Sequence, residues 1–134
     1  MIVQEKIALD FAEISLVKDK IVIVDYLTEE SLNVDRGIKM LETVRKISNY
    51  EPCAIVHNVG DRYIFTTDAL RFMGSQLTKD AHHFLARAIV TTNPAARIAS
   101  NNFIKFYKPL LPTKLFSEVT AAVSWLEGVL SSGK

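Results

Sequence analysis

The chain lacks several features that would place it in a specialised class of protein. Its single cysteine, Cys53, excludes an intrachain disulfide and favours a reducing compartment. It has no apolar run near the roughly 18–20 residues that span a bilayer. The segment from Met1 to Lys6 also lacks the basic start and the apolar stretch of a signal peptide. We therefore expect a cytoplasmic protein with no transmembrane segment.

The charged residues and the glycines also lack the patterns that are typical of nucleic-acid-binding proteins and of common enzymes. The 16 basic and 15 acidic residues give a net charge of +1, so no field attracts a phosphate backbone and we expect no nucleic-acid partner. With five glycines the chain has no glycine-rich phosphate loop, and it has no Gly-x-Ser-x-Gly elbow. We therefore expect a protein that is not an enzyme and needs no cofactor.

What is present is the composition of one globular domain. The 134 residues are 49% hydrophobic and 23% charged, and they contain no internal repeat, linker or low-complexity tract. A chain of this length buries roughly two-thirds of its unfolded surface, which is enough for a core without metal or disulfide. We expect a single domain over residues 1–134.

Apolar residues near the amino terminus alternate, but the phase of the alternation changes. Between Ile7 and Val17 the early apolar residues occupy odd positions and the later ones even positions. One face of a regular strand cannot hold both sets, so we predict one strand, at or near a sheet edge, with a bulge or bend near Asp10 to Glu13. After a polar turn at 18–20, the run Ile21 to Val24 predicts the second strand of a β-hairpin, covered on both faces.

The next segment changes to helical spacing. Pro52 ends a predicted helix, and the apolar run from Cys53 to Val56 predicts a buried parallel strand. Thr67 begins a short predicted helix that Gly74 ends, and a further turn begins at Thr78. The first helix is predicted by five apolar residues that step by three or four positions: Val34, Ile38, Leu41, Val44 and Ile47.

The second half continues to alternate strand and helix. Phe84 to Val90 predicts a strand, and Asn93-Pro94 predicts the start of a helix that runs to about Tyr107 with Ala95, Ala99 and Phe103 near one face. A very short strand, 114–116, precedes the last helix. The stripe of that helix is Val119, Ala122, Val123, Leu126, Val129 and Leu130.

The order of these elements predicts the fold class. It is β-β-α-β-α-β-α-β-α, in which helices connect successive strands. Such crossovers predict an α/β domain with a mixed, mostly parallel sheet of about five strands flanked by helices, and the opening hairpin adds an antiparallel edge.

The carboxy-terminal third carries a motif as well. It runs through Asn93-Pro94, Asn102-Phe103, Lys108-Pro109, Pro112-Thr113-Lys114-Leu115-Phe116 and Trp125-Leu126. With this motif and element order, the chain resembles the STAS domain (sulphate transporter and anti-sigma-factor antagonist). More narrowly, it resembles an uncharacterised bacterial branch that is also compared with CRAL-TRIO lipid-binding domains. The resemblance implies a compact STAS-like sheet flanked by helices, used as a protein-interaction module.

The resemblance also implies a regulated position. In antagonist members, a partner kinase phosphorylates a serine or threonine at the start of the helix after the third strand. That helix here is the one begun by Thr67, so Thr66 and Thr67 are the implied phospho-switch. The chain reads Phe65-Thr66-Thr67-Asp68 where the usual pattern is Asp-Ser-x-Gly. A plain helix N-cap is the alternative interpretation of these threonines.

Histidine and cysteine residues do not combine into a predicted site. His82 and His83 are adjacent and point in different directions, and His57 is remote from them in sequence. Cys53 lies in a predicted core strand, so we interpret it as a small buried residue rather than a nucleophile. We expect no metal site.

A basic and aromatic neighbourhood beside the motif is the candidate contact surface. Pro109 and Pro112 fix two φ angles, so the segment between them forms a defined loop. Leu110 and Leu111 in that loop either contact a partner or plug the end of the sheet, and Asn102 either contacts a ligand or holds the loop in place. The candidate contact residues are Arg97, Asn102, Phe103, Lys108, Leu110, Leu111 and Lys114.

Two functions follow from these observations. The first is a non-catalytic regulatory module, resembling anti-sigma-factor antagonists, that binds another protein or forms a homodimer. The alternative is a carrier of lipid or another small apolar ligand, with an apolar pocket between the Phe84–Val90 strand and the Phe103–Tyr107 helix. An enclosed apolar pocket would favour the carrier, whereas a surface patch would favour partner binding.

Overall fold

The computed structural model describes residues 2–18, 20–27, 33–62, 83–107 and 112–132, with the backbone alone for residues 106 and 107. These residues form one six-stranded sheet in the order β1-β2-β3-β4-β5-β6. Strand β2 is antiparallel to both of its neighbours, β1 and β3, and β3 to β6 run parallel. The elements are β1 (Glu5–Ala8), β2 (Ala12–Lys18), β3 (Ile21–Tyr26), α1 (Val34–Ile47), β4 (Cys53–Gly60), β5 (Phe84–Thr91), α2 (Pro94–Tyr107), β6 (Thr113–Phe116) and α3 (Val119–Ser132).

The predicted α/β class with a mixed, mostly parallel sheet is confirmed, but the amino-terminal strand is two strands. The chain reverses at Asp10 and Phe11, and β1 pairs with β2 so that Ile7 lies opposite Ile14. This reversal explains the change of phase, because it brings the odd and even sets onto one face of the sheet. The sheet therefore has six strands where about five are predicted, and β1 lies at its edge as expected.

Two hydrophobic cores lie on opposite faces of the sheet. On the first face, α1 and Phe103 of α2 pack against strand residues such as Val24 and Ile55. On the second face, α3 packs around Leu126 against residues such as Val56. Strand β3 contributes to both cores and is covered on both faces, as its unbroken apolar run predicts. Each fully buried aliphatic side chain stabilises the fold by roughly 1.5–3 kcal/mol.

Helix α1 has the predicted extent, but its buried stripe is shifted at one position. Leu41, Val44 and Ile47 are buried as predicted. Ile38 is 41% exposed, and Met40 takes its place in the core at 1%. Met40 shares a helix face with Val44, four positions later, whereas Ile38 lies at the margin between the buried and the exposed sides of the helix.

Helix α2 starts as predicted and is rotated by one residue from its predicted face. The Asn93 Oδ1 atom accepts a hydrogen bond from the Ala96 N–H at 3.0 Å, which is the expected N-cap. The buried side holds Ala96, Ser100 and Phe103, while Ala95 is exposed. Phe103 is the largest of these side chains, and residues three and seven positions before it share its face.

The remaining predicted elements divide into two groups. Strand β6 and the stripe of α3 are confirmed, with Ala122, Val123 and Leu126 buried. The short helix predicted from Thr67 to Gly74 and the turn predicted from Thr78 lie outside the described residues.

Candidate functional site

The outward side of α1 carries charges of both signs in a regular order. Four exposed charged residues recur every three or four positions, on the side opposite the buried Val44. Exposed Ile38 lies beside them. These five residues form the α1 outer face: Asp35, Ile38, Lys39, Glu42 and Lys46.

The four charged side chains of this face form no ion pairs with the residues that the structure describes. Neither Lys39 nor Lys46 forms an ion pair with a described residue, and the same holds for Asp35 and Glu42. Solvent-exposed pairs four residues apart would stabilise the helix by only about 0.2–0.5 kcal/mol each. These four side chains are therefore available to a partner at little cost to α1.

Helix α1 ends in a turn that holds Tyr50 out in solvent. The Tyr50 N–H donates to the Arg45 carbonyl at 2.8 Å, and the Asn49 N–H donates to the Lys46 carbonyl at 3.0 Å. This Schellman arrangement satisfies carbonyl groups at the helix end. It places Asn49 at φ 54° and Tyr50 at φ 60°. Asparagine tolerates this left-handed region, but for tyrosine it costs roughly 1–2 kcal/mol.

The strain at Tyr50 is not offset by burial of its ring. The side chain is 71% exposed, so it adds little to the core. Strained backbone that persists without a packing reason is often found at functional positions. Tyr50 is therefore the residue of this region that calls most for a functional explanation.

Two open depressions lie along α1 and meet at Lys39. The larger, of about 400 Å³, lies toward the carboxy-terminal end of the helix and is mainly basic. It is lined by Lys39, Glu42, Thr43, Arg45, Lys46 and Tyr50.

The smaller depression, of about 190 Å³, lies toward the amino-terminal end of α1 and contains two carboxylates. Its aromatic floor is already in contact with a cation, since the Arg36 guanidinium carbon lies 5.8 Å from the centroid of the Phe11 ring. It is lined by Asp10, Phe11, Asp35, Arg36 and Lys39.

A second group of polar side chains lies inside the fold, on three neighbouring strands. Tyr26 of β3, His57 of β4 and Arg87 of β5 are each no more than 2% exposed. The Tyr26 hydroxyl lies 3.0 Å from His57 Nδ1, and the two rings are stacked. The Arg87 guanidinium carbon lies 5.8 Å from the Phe84 ring centroid. These side chains contact the protein interior and not bulk solvent.

Burial sets the protonation states in this cluster. It lowers the pKa of His57 well below 6.5, and the positive charge of Arg87 lowers it further. Burial also raises the pKa of Tyr26, against a smaller opposite effect of Arg87. Tyr26 therefore keeps its proton and His57 is neutral, so their hydrogen bond joins two uncharged groups, and the histidine tautomer sets which of them donates. His57 Nε2 has no hydrogen-bond partner among the described residues.

Cys53 lies at the start of β4, close to a histidine. Its sulfur is 3.8 Å from His83 Nε2, and the Ser48 hydroxyl is 3.3 Å from the same nitrogen. Burial raises the pKa of the Cys53 thiol to about 11, while the hydrogen bond with Ser48 acts in the opposite direction. Such a thiol is protonated at neutral pH and is a weak nucleophile. Across the described ranges, no group of three or more His, Cys, Asp or Glu side chains could hold a metal ion.

The contact residues predicted from sequence have different environments in the structure. Arg97 Nη1 donates to the Thr91 carbonyl at 2.8 Å and to the Ser117 hydroxyl at 3.2 Å. It thus ties the start of α2 to the ends of two strands. Phe103 is 3% exposed and belongs to the first core. Both side chains have structural contacts, and their role in binding stays a prediction.

The other predicted positions are exposed or undescribed. Asn102 is exposed on α2, and the ammonium group of exposed Lys114 lies 5.5 Å from the Phe116 ring centroid. The contact role of both residues stays a prediction. The remaining candidates lie outside the described residues: Thr66, Thr67, Lys108, Leu110 and Leu111.

The α1 outer face is not among the sites predicted from sequence, although a signal for it exists there. Apolar spacing identifies the buried side of the helix and passes over the charges opposite. The order Asp35, Lys39, Glu42, Lys46 alternates in sign at helical spacing, which is the pattern of a helix face available for ion pairing.

The region predicted to hold an apolar ligand is packed where it is described. Phe84 of that strand and Phe103 of that helix are 1% and 3% exposed, and both belong to the first core. Within the described ranges, no helix combines the length and apolar character required to cross a bilayer.

Comparison with known proteins agrees with this fold. The structure is similar to the crystal structure of an uncharacterised protein from the DUF3478 family with a SpoIIAA-like fold, from Shewanella loihica PV-4. The TM-score is 0.59 at 14% sequence identity, covering 86% of this chain and 91% of that chain. No curated protein matches the chain in sequence. At this identity the likeness shows the fold alone, and it confirms the predicted STAS-like architecture.

A family model also matches the sequence directly. It describes a domain of unknown function, DUF7793, and it aligns with residues 15–130. Because this match extends from β2 to α3, the chain belongs to the DUF7793 family of domains of unknown function.

Proposed function

We propose that the chain is a cytoplasmic, non-catalytic regulatory module that works by binding a second protein chain. Its SpoIIAA-like fold suggests a module of the anti-sigma-factor-antagonist type. The observation that carries the proposal is the α1 outer face, whose four charges form no ion pair with the described residues and which has Tyr50 at its carboxy-terminal end.

The chemistry of this surface fits a protein partner. Tyrosine and arginine are enriched at the centres of protein interfaces, because they combine apolar area with a polar group. Tyr50 and Arg45 line the same depression. The exposed charges around them can pair with opposite charges on a partner and orient it during encounter.

The inner polar cluster supports a non-catalytic role. Tyr26 and His57 are hydrogen-bonded to each other, and both side chains are buried. A general acid or base must come within hydrogen-bond distance of its substrate. Buried groups that are already engaged in the fold serve that purpose poorly.

Photo-cross-linking tests the proposal at the surface that carries it. A p-benzoylphenylalanine residue replacing Tyr50 should give a light-dependent adduct with a protein in cells. A matched control replaces Ile98 of α2, which is also well exposed at 63%. We expect an adduct from position 50 and none from position 98.

The other outcomes are equally informative. An adduct from position 98 alone would move the binding surface to α2, beside the contact residues predicted from sequence. The absence of an adduct at both positions would contradict the proposal. Native mass spectrometry of the purified protein then tests the carrier alternative, because a co-purified apolar molecule of defined mass would favour it.

A further inference from the structure

We infer that the α1 outer face binds a second copy of this chain, related to the first by a two-fold axis across α1. The inference rests on the proposed function, because it names the partner of the same surface. It follows from the order of the charges, from the apolar residue beside them and from the two depressions at the ends of the helix.

In a pair related by a two-fold axis, the charges of α1 are self-complementary only when the two helices run antiparallel. From Asp35 to Lys46 the signs read negative, positive, negative, positive. Asp35 and Lys46 lie equally far from the centre of the stripe, and so do Lys39 and Glu42. In an antiparallel pair each acid therefore faces a base, whereas a parallel pair would set like charges together. A two-fold interface requires this kind of match of a surface with itself.

The length of the helix brings all of these contacts within reach at once. At about 1.5 Å rise per residue, the stripe from Asp35 to Lys46 spans roughly 16 Å. Two such helices in contact would form the pairs Asp35–Lys46 and Lys39–Glu42 twice each. Ile38 lies near the middle of the stripe and is 41% exposed. The second copy would cover it, which supplies the apolar centre that interfaces generally contain.

Tyr50 and the smaller depression complete the match beyond the charged stripe. In the antiparallel arrangement, Tyr50 of one copy reaches the amino-terminal end of the other copy's α1. The depression of about 190 Å³ lies at that end. The Asp10 carboxylate in this depression can accept a hydrogen bond from the phenol O–H. The partner thus gives a reason for the strained and exposed tyrosine.

The size of this surface predicts a weak and salt-sensitive dimer. One pair of helices with two tyrosines lies at the low end of the area of specific interfaces. Attraction between exposed charges weakens as the ionic strength rises, because dissolved ions screen it. Association should therefore depend on concentration and decrease at high ionic strength.

A simpler explanation of the charge order is a solvated helix face with pairs inside one helix. Charge reversal separates the two explanations. Lys39→Glu alone sets two acids against each other twice in the dimer, and Glu42→Lys alone does the same with two bases. The dissociation constant of the dimer should be at least about tenfold higher for each variant than for the original chain.

Mixing the two variants is the decisive measurement. In a heterodimer of Lys39→Glu with Glu42→Lys, every altered residue again faces an opposite charge. Sedimentation velocity should therefore show dimers in the mixture and mostly monomers in each separate sample. With one variant labelled with ¹⁵N, native mass spectrometry should identify the mixed species. Pairs within one helix cannot produce this rescue.

The controls and the contrary outcomes are defined by the same experiment. Lys20→Glu and Glu118→Lys make matched charge changes at exposed positions outside α1, and they should leave association unchanged. A monomeric original chain, or a mixture that stays monomeric, overturns the inference. If the cross-linking residue at position 50 nevertheless forms an adduct with a different protein, the proposed function stands. If it cross-links to nothing, both fail.

Discussion

The Tyr26 hydroxyl lies 3.0 Å from Nδ1 of His57, and both side chains are buried on the first face of the sheet. Burial raises the pKa of Tyr26 and lowers that of His57, so the bond joins two neutral groups. A neutral pair avoids the cost of a second buried positive charge near Arg87. The same arrangement makes the stability of the fold sensitive to acid.

The free energy of unfolding should fall as the pH is lowered below about 6.5. In the unfolded chain His57 gains a proton there, whereas the folded chain keeps it neutral because its pKa is lowered. The unfolded state then binds more protons, so stability decreases by up to about 1.4 kcal/mol per pH unit. Urea melts at a series of pH values between neutral and mildly acidic conditions measure this slope.

The variant His57→Gln is the control for this pH dependence. Glutamine offers the Tyr26 hydroxyl an acceptor and does not titrate. The slope below pH ~6.5 should become shallower even if the variant is less stable at every pH. An unchanged slope would assign the pH dependence to other groups.

Replacing Tyr50 by glycine should cost the fold nothing while weakening self-association. Glycine adopts positive φ without strain. The free energy of unfolding of Tyr50→Gly should therefore be unchanged or higher by up to about 1 kcal/mol. Asn49→Gly relieves the neighbouring residue, at φ 54°, and should leave association unchanged. For both variants, thermal melts measure stability and sedimentation velocity measures self-association. A lower melting temperature for Tyr50→Gly would indicate a structural role for the ring.

The second core should depend strongly on Leu126 of α3. This side chain is 0% exposed. Leu126→Ala should therefore lower the free energy of unfolding by about 2–5 kcal/mol. Leu85→Ala, at a position that is 37% exposed, is the matched control and should cost under about 1 kcal/mol. Equal losses from the two variants in urea melts would contradict this account of the core.

Cys53 should react slowly with thiol reagents while the protein is folded. Its pKa is raised to about 11 and its side chain is buried. The thiolate is the reactive form, so little of it is present near neutral pH. A chromogenic disulfide reagent should modify Cys53 much faster in denaturing urea than in buffer. Equal rates in the two conditions would show that the thiol is accessible in the fold.

Local signals in the sequence determine most of the elements and the class of the fold. The pair Asn93-Pro94 predicts the start of α2, because a cap and a first-turn proline act within a few residues of each other. The stripe around Leu126 predicts the buried side of α3, since helical spacing is also a local property. Alternating strands and helices then imply the parallel sheet.

Features that depend on distant residues are decided only by the tertiary structure. The phase change between Ile7 and Ile14 is compatible with a bend or with a reversal, and only their pairing across β1 and β2 shows a hairpin. Tyr26 and His57 are 31 residues apart in sequence, and sheet register brings them into contact. The sequence predicts helix α1, but the packing of Met40 and Val44 determines which of its charges face outward. Periodicity acts along one element, whereas faces, registers and surfaces arise from packing between elements.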